Sequence, residues 1–183
     1  MDIYQAIKER RSVRRYKADE VPEEILDRLL LAAQWAPSWA HTQCVEVVVV
    51  RDPAVKEKLQ AAVGERNPAF KAMGEAPLAI AFCARLGRAG YKKGETSTRR
   101  GDWFMFDTAL AMENFMLCAH AEGLATVCIG LFDSAAAAVA LGLPEGVEAV
   151  ALTPLGYPDQ TPNLPARKDR ALFVHKDVYP GGE

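Results

Sequence analysis

Apolar residues recur along the chain at two spacings, and the spacing changes where turn residues fall. Ile3 and Ile7 lie four apart behind Asp2, an N-cap residue, which predicts a short helix running into the basic stretch Arg10-Arg11-Ser12-Val13-Arg14-Arg15. Ile25, Leu26, Leu29, Leu30 and Ala33 repeat at three and four. Pro22 suits the first turn of that second helix, Glu23 and Glu24 its positive end, and Pro37 requires it to stop near Ala36. Residues 37–43 read as a loop. The β-branched run Val45–Val50 predicts a buried strand. Asp52 and Pro53 open a third helix with Val55, Leu59 and Val63 inward and Gly64 at its end, and residues 77–84 predict a second buried strand.

Residues 85–101 break the pattern. Arg85, Arg88, Lys92, Lys93, Arg99 and Arg100 face one acid, Glu95, among four glycines, which predicts a long mobile surface loop. Asp102 can cap the long apolar helix that follows, and Gly123 stops it. Residues 124–131 predict a third strand. Asp133 or Ser134 starts a short Ala-rich helix ended by Gly142, and residues 147–155 predict a fourth strand. From Tyr157-Pro158 the chain becomes Pro-rich, with one last extended piece over 171–175. The alternation predicts helices layered on a central sheet, α/β or α+β, in a single domain. The tail 158–183 is too open to pack alone and is expected to lie across its own sheet or a partner subunit.

Composition narrows the classes. Half of the 183 residues are hydrophobic, enough for a real core. With 22 basic and 24 acidic residues the net charge is −2, which offers no global attraction for nucleic acid or an anionic membrane. No stretch approaches the roughly 20 apolar residues of a membrane span. Residues 1–15 lack the apolar core of a signal peptide, so a cytoplasmic location is expected. Cys44, Cys83, Cys118 and Cys128 form no C-x-x-C pair and read as reduced thiols, the last three buried in apolar runs. Cys118-x-His120 lacks the second pair a closed zinc site needs, so no metal is expected.

Rossmann, P-loop and nucleophile-elbow motifs are missing from the sequence, and His41, His120 and His175 are too scattered to support a triad. The remaining chemistry is cationic. Arg10, Ser12 and Arg14, with Arg167 and Lys168 from the far end of the chain, make up the donor set that a phosphate monoester takes. On charge alone a second reading stands beside it: cations also suit the negative pole of the helix they follow.

The run Arg10-Arg11-Ser12-Val13-Arg14 resembles the R-R-S-x-R opening of the nitroreductase family. Ala33-Gln34-Trp35-Ala36-Pro37-Ser38 is similar to its A-x-x-A-P-S segment, and Gln43 falls at the glutamine of its N-x-Q-P motif. Gly123-Leu124 with Cys128-Ile129-Gly130, and Leu155-Gly156-Tyr157-Pro158 with Arg167-Lys168, resemble its later motifs in order. The resemblance implies an α+β fold, an α/β/α sandwich around a mostly antiparallel sheet, built as an intertwined homodimer with FMN at the interface. It implies that Arg10, Ser12 and Arg14, joined by Arg167 and Lys168, hold the phosphate and ribityl side, with Arg11 contributing through its backbone. Pro37, Ser38 and Trp39 would come from the partner subunit to line the ring. Ile129, Gly130 and Leu131 would lie against the isoalloxazine near N5. Two departures matter: His41 stands where the family usually has asparagine, and Cys44 where proline is common. His41 titrates near neutrality in its unperturbed state, which makes it a candidate proton donor to an acceptor, beside a plain structural hydrogen bond. The family's tail lysine ahead of the arginine is also missing.

The function this implies is electron transfer from NADH or NADPH through FMN to a small-molecule nitroaromatic, quinone or activated-alkene acceptor, by a ping-pong route. Competing readings are a flavin carrier or sensor without turnover, and an oxygen-dependent flavin-cleaving or dehalogenating enzyme of the same fold.

Overall fold

A computed structural model describes residues 1–179. Six helices and six strands occur among them: α1 (Ile3–Glu9), α2 (Glu23–Gln34), β1 (Val45–Val50), α3 (Pro53–Val63), α4 (Phe70–Glu75), β2 (Leu78–Arg85), β3 (Tyr91–Lys92), β4 (Glu95–Thr96), α5 (Phe104–Ala121), β5 (Ala125–Thr126), α6 (Ser134–Leu141) and β6 (Val147–Gly156). The main sheet has the order β1-β2-β6-β5, and every pairing between its strands is antiparallel.

The sheet is covered on both faces, and the alternation along β2 states why. Leu78, Ile80 and Phe82 point into a core shared with α2 and α5; Ala79, Ala81 and Cys83 point the other way, into a core shared with α3, α4 and α6. Along β2 the larger side chains face α2 and α5, and the smaller ones face α3, α4 and α6. A bulge opposite Phe82 and Cys83 shifts the register with β6, and beyond it the inward parity of β6 changes. The long helix α5 buries one stripe, Ala111, Met112, Phe115, Met116 and Ala119, at helical spacing against this sheet. The expected α/β/α sandwich around an antiparallel sheet is present.

Several expectations need correction. The strand Val45–Val50 is an edge strand, so only Val50 is fully buried. The third strand is only Ala125–Thr126; residues 127–131 leave the sheet apart from a bridge between Ile129 and Leu152. An unforeseen helix, α4, stands before β2. Lys56 Nζ donates to the carbonyl of Ala76 at 2.7 Å, satisfying the end of that helix. In the tail, a single 3-10 turn, Arg170–Leu172, stands where an extended piece was expected. The tail's last residues, 180–183, lie outside the described residues. Cys44 and Cys83 are buried and Cys118 is half-buried, but Cys128 is exposed, since it lies on the irregular run after β5.

Residues 85–101 carry a short hairpin within the loop. Strands β3 and β4 meet across Lys93 and Gly94, both at positive φ (51° and 83°), the geometry of a tight two-residue turn. Gly90 closes its base at φ 86°, and an added Cβ would lie 2.3 Å from the carbonyl oxygen of Gly101. Gly90→Ala should therefore open the hairpin and cost about 1–3 kcal/mol. Unchanged amide exchange at Ser97, which donates to the Gly90 carbonyl at 2.7 Å, would contradict this.

Candidate functional site

The basic stretch after α1 is extended and anchored. Val13 N–H donates to the Thr126 carbonyl at 3.0 Å, and Ser12 bridges Thr126 in parallel, so the segment lies along β5. Val13 and Tyr16 are buried, and the Tyr16 hydroxyl donates to the Val13 carbonyl at 2.7 Å; burial pushes that phenol well above its ordinary pKa. The polar side chains between these anchors stay at the surface. Arg10 and Arg11 line a groove of about 460 Å³ with His120, Thr126 and Gln160. The Arg11 guanidinium turns back onto α1, donating to the carbonyls of Lys8 at 2.7 Å and Arg10 at 2.6 Å. Arg10 makes no side-chain hydrogen bond or ion pair among the described residues. His120 has its Nε2 shielded and without a hydrogen-bond partner; burial lowers its pKa, with Arg10 and Arg11 lowering it further against the opposing pull of Glu9.

Arg14 lines a neighbouring groove of about 490 Å³ with Asn67, Lys71, Glu75 and Gln160. Gln160 belongs to both grooves, and Arg15 donates to it at 3.3 Å. Asn67 Nδ2 donates to the Leu131 carbonyl at 2.9 Å, which ties this groove to the segment Ile129, Gly130 and Leu131. Ile129 is buried, while Gly130 and Leu131 are exposed. Nothing lies within 4 Å of where a Gly130 Cβ would sit, so the backbone there presents an open face. Asn67 and Lys71 were not singled out in the sequence. Asn67 sits in the connection before α4, whose only local signal is Asn67-Pro68, and Lys71 stands in the first turn of α4; the layer packing alone places them beside Arg14.

Pro37, Ser38 and Gln43 line a third groove, of about 650 Å³, with Leu30, Gln34, Val47 and Asp107. No residue is common to this groove and the two cationic ones. The loop that forms it is tightly folded: Ala40, His41 and Gln43 all have positive φ (44°, 58° and 48°). Ser38 Oγ accepts from Gln43 N–H at 3.0 Å, and the Gln43 side-chain amide meets His41 Nε2 at 2.9 Å. His41 is exposed. Trp39 packs with Cys44, Ala89 and Trp103 at the hairpin base. Beneath the loop lies Asp107, 1% exposed, whose two carboxyl oxygens accept from Trp39 N–H at 3.0 and 3.1 Å. Cys44 Sγ donates to the same group at 3.5 Å; burial first, and Asp107 second, push this thiol up to about 12. Asp107 was also missed, because in sequence it is one acid in the first turn of a helix.

Arg167 and Lys168 stand exposed in the tail and share no hydrogen bond or ion pair with Arg10, Ser12 or Arg14 in the single chain. Among the described residues no group of His, Cys, Asp and Glu is placed to hold a metal ion, and no helix is long and apolar enough to cross a membrane.

The architecture is an α+β fold, an α/β/α sandwich with a cationic extended segment lying along β5. The chain belongs to the nitroreductase family, whose model matches residues 7–157. It is 32% identical to an NADH dehydrogenase of Thermus thermophilus, over 86% of this chain and 87% of that protein. It is 27% identical to iodotyrosine deiodinase 1 of Mus musculus, over 93% of this chain and 67% of that one. Among solved structures, it is similar to the NADPH:FMN oxidoreductase of Vibrio harveyi complexed with NAD+, with a TM-score of 0.84 and 25% identity over 99% of this chain and 79% of that chain.

Proposed function

We propose that this protein is an FMN-dependent oxidoreductase that takes electrons from NADH or NADPH and delivers them to a small organic acceptor, a nitroaromatic, quinone or activated alkene, with donor and acceptor using one site in turn. Its membership of the family makes it an NAD(P)H-dependent oxidoreductase with FMN as cofactor. One observation carries the reading of the site: Asn67 joins the groove of Arg14 to the carbonyl of Leu131, so the cationic segment and the open strand end border the same ground.

The residues fit the group. Arg10, Ser12 and Arg14 offer charge-assisted donors to a phosphate and ribityl chain, with the Arg11 side chain held away on α1. Arg14 and Lys71 place positive charge beside the segment 129–131, where it favours electron-rich forms of a bound ring. The exposed backbone at Gly130 admits a flat ring closely. Bound FMN supplies the redox chemistry, and the protein binds it, orients it and sets its surroundings.

The second groove belongs to the same site in a dimer. Pro37, Ser38 and Gln43 line a groove separate from Arg10 and Arg14 in one chain, with Trp39 on the same loop, and a second copy brings the two halves together. Trp35 (78% exposed), Met105 (63%) and Phe106 (54%) are large apolar side chains that one chain leaves uncovered on or beside α2 and α5. Residues 1–183 form one domain whose tail, with Leu164, Phe173 and Tyr179 exposed, packs on the partner and brings Arg167 and Lys168 to the phosphate. His41 stands at the rim as a proton donor to the acceptor.

The absorbance spectrum of the purified protein tests this. A flavin band is expected, bleaching on anaerobic addition of NADH or NADPH. A band that persists with both donors would indicate a carrier or sensor. No band after incubation with FMN would remove the reading.

A further inference from the structure

The loop 37–43 carries three non-glycine residues, Ala40, His41 and Gln43, in the left-handed region within four positions. Each is a conformation that an L side chain adopts only when its surroundings enforce it. Bonds inside the loop close it on itself: His41 N–H to the Ser38 carbonyl, Thr42 N–H to the Trp39 carbonyl, and Gln43 N–H to Ser38 Oγ, each at 3.0 Å. None of these ties the loop to the body of the protein. Two connections come from further along the chain: Arg85 N–H of β2 donates to the Cys44 carbonyl at 2.8 Å, and, 63 to 68 positions on, the buried carboxyl of Asp107 on α5 receives the Trp39 N–H on both oxygens and the Cys44 thiol on one. Asp107 grips the loop at both ends, just before and just after the strained residues.

We infer that Asp107 is the positioning residue of this site: it locks the loop in its left-handed form, so that Ser38, Trp39, His41 and Gln43 are presented at fixed positions to the flavin and acceptor. The inference rests on the proposed function for what the loop faces. The lock itself follows from burial and hydrogen bonding. Asp107 touches no reacting group. It acts through Trp39 and Cys44. Its first-turn place on α5 is next to the stripe that seats the helix on the sheet, so the lock refers the loop to the most rigid part of the fold.

The chemistry asks for an acceptor here and does not ask for a charge. Asp107→Asn keeps one oxygen for Trp39 N–H, and its amide can donate to the Cys44 sulfur. Asp107→Ala leaves Trp39 N–H without an acceptor and frees the loop. FMN affinity is measured by fluorescence titration for wild type and both variants, together with amide exchange at Trp39 in the flavin-free protein. Asp107→Ala should weaken FMN binding about 10- to 100-fold, as the loss of hydrogen bonds to a charged group does, and Asp107→Asn should restore it to within about 3-fold of wild type. In wild type, Trp39 should exchange at least about 100-fold more slowly than an unbonded amide.

Asp107→Ala that binds FMN as wild type does would overturn the positioning role. So would Asp107→Asn that is as impaired as Asp107→Ala, since that pattern assigns the effect to the charge. If Asp107→Ala does not fold, the Asn variant and the wild-type exchange still decide, and an unprotected Trp39 amide overturns the lock. A wild-type protein that fails to bind FMN defeats the proposed function alone, because the exchange measurement tests the lock without flavin.

Discussion

Phe115→Ala is expected to lower stability by about 3–5 kcal/mol, among the largest effects of a single truncation in this chain. Phe115 is fully buried where α5 crosses the central strand β2, and its ring meets Phe82 edge to face, with centroids 5.4 Å apart and planes at 81°. Leu26 and Leu29 of α2 and Ile80 of β2, all nearly or fully buried, belong to the same core. The cavity left by truncation is bounded by a sheet and two helices and has little freedom to collapse, so both the transfer and the cavity costs are felt in full. For a chain of this size the melting temperature should fall by roughly 6–20 °C. A fall of less than about 3 °C in a thermal melt would show that the layer of α2 and α5 repacks, and that the sandwich is softer than its burial suggests.

Arg10→Ala should weaken FMN binding about 10- to 100-fold, equivalent to about 1.5–3 kcal/mol for a charge-assisted hydrogen bond. The comparison that gives this meaning is Arg11→Ala. Both arginines stand at the end of α1 and line one groove, but the Arg11 guanidinium is already committed to two backbone carbonyls, whereas the Arg10 side chain has no hydrogen-bond or ion-pair partner among the described residues. Arg11→Ala should cost some helix stability and change FMN affinity only a few-fold. The contrast should shrink at high salt if Arg10 acts through charge on a phosphate. Equal losses for the two variants in a fluorescence titration would mean that the stretch acts as a general positive field, and that Arg10 is no specific ligand.

Much of the element order was legible before any coordinates. Asp2, Asp52 and Asp133 each cap the helix their position predicts, Gly64 and Gly142 end two helices at positive φ, and the apolar repeats of α2 and α3 bury Leu26, Leu29, Leu59 and Val63. These signals are local: a cap, a stop and a stripe act within a few residues of themselves, so the sequence displays them. The cationic inventory at Arg10, Ser12 and Arg14 was legible for the same reason, since the three are near neighbours in one motif.

What failed had its cause elsewhere in the chain. The glycines and cations of 85–101 suggested a loop without regular structure, yet it carries a short hairpin, with Trp103 donating to Thr98 at 2.7 Å and Asp102 accepting from Gly87 N–H at 2.6 Å at its base. Strand 124–131 is shorter than its sequence suggested because continuous pairing with β6 stops after Thr126 and is met again, in the same register, at Ile129 opposite Leu152. Cys128 sat in an apolar run but lies at the surface.

The sequence by itself determined helices layered on a central sheet and the cationic opening, because hydrophobic period, capping chemistry and charge are properties of residues and their near neighbours; the α+β class followed from the family resemblance of its motifs. Only the tertiary structure decided which side of the sheet each helix covers, that Asn67 and Lys71 stand beside Arg14, and that Asp107 holds the loop before Cys44. Those facts depend on pairs tens of positions apart, and such pairs meet only when burial of both sheet faces fixes where every layer lies.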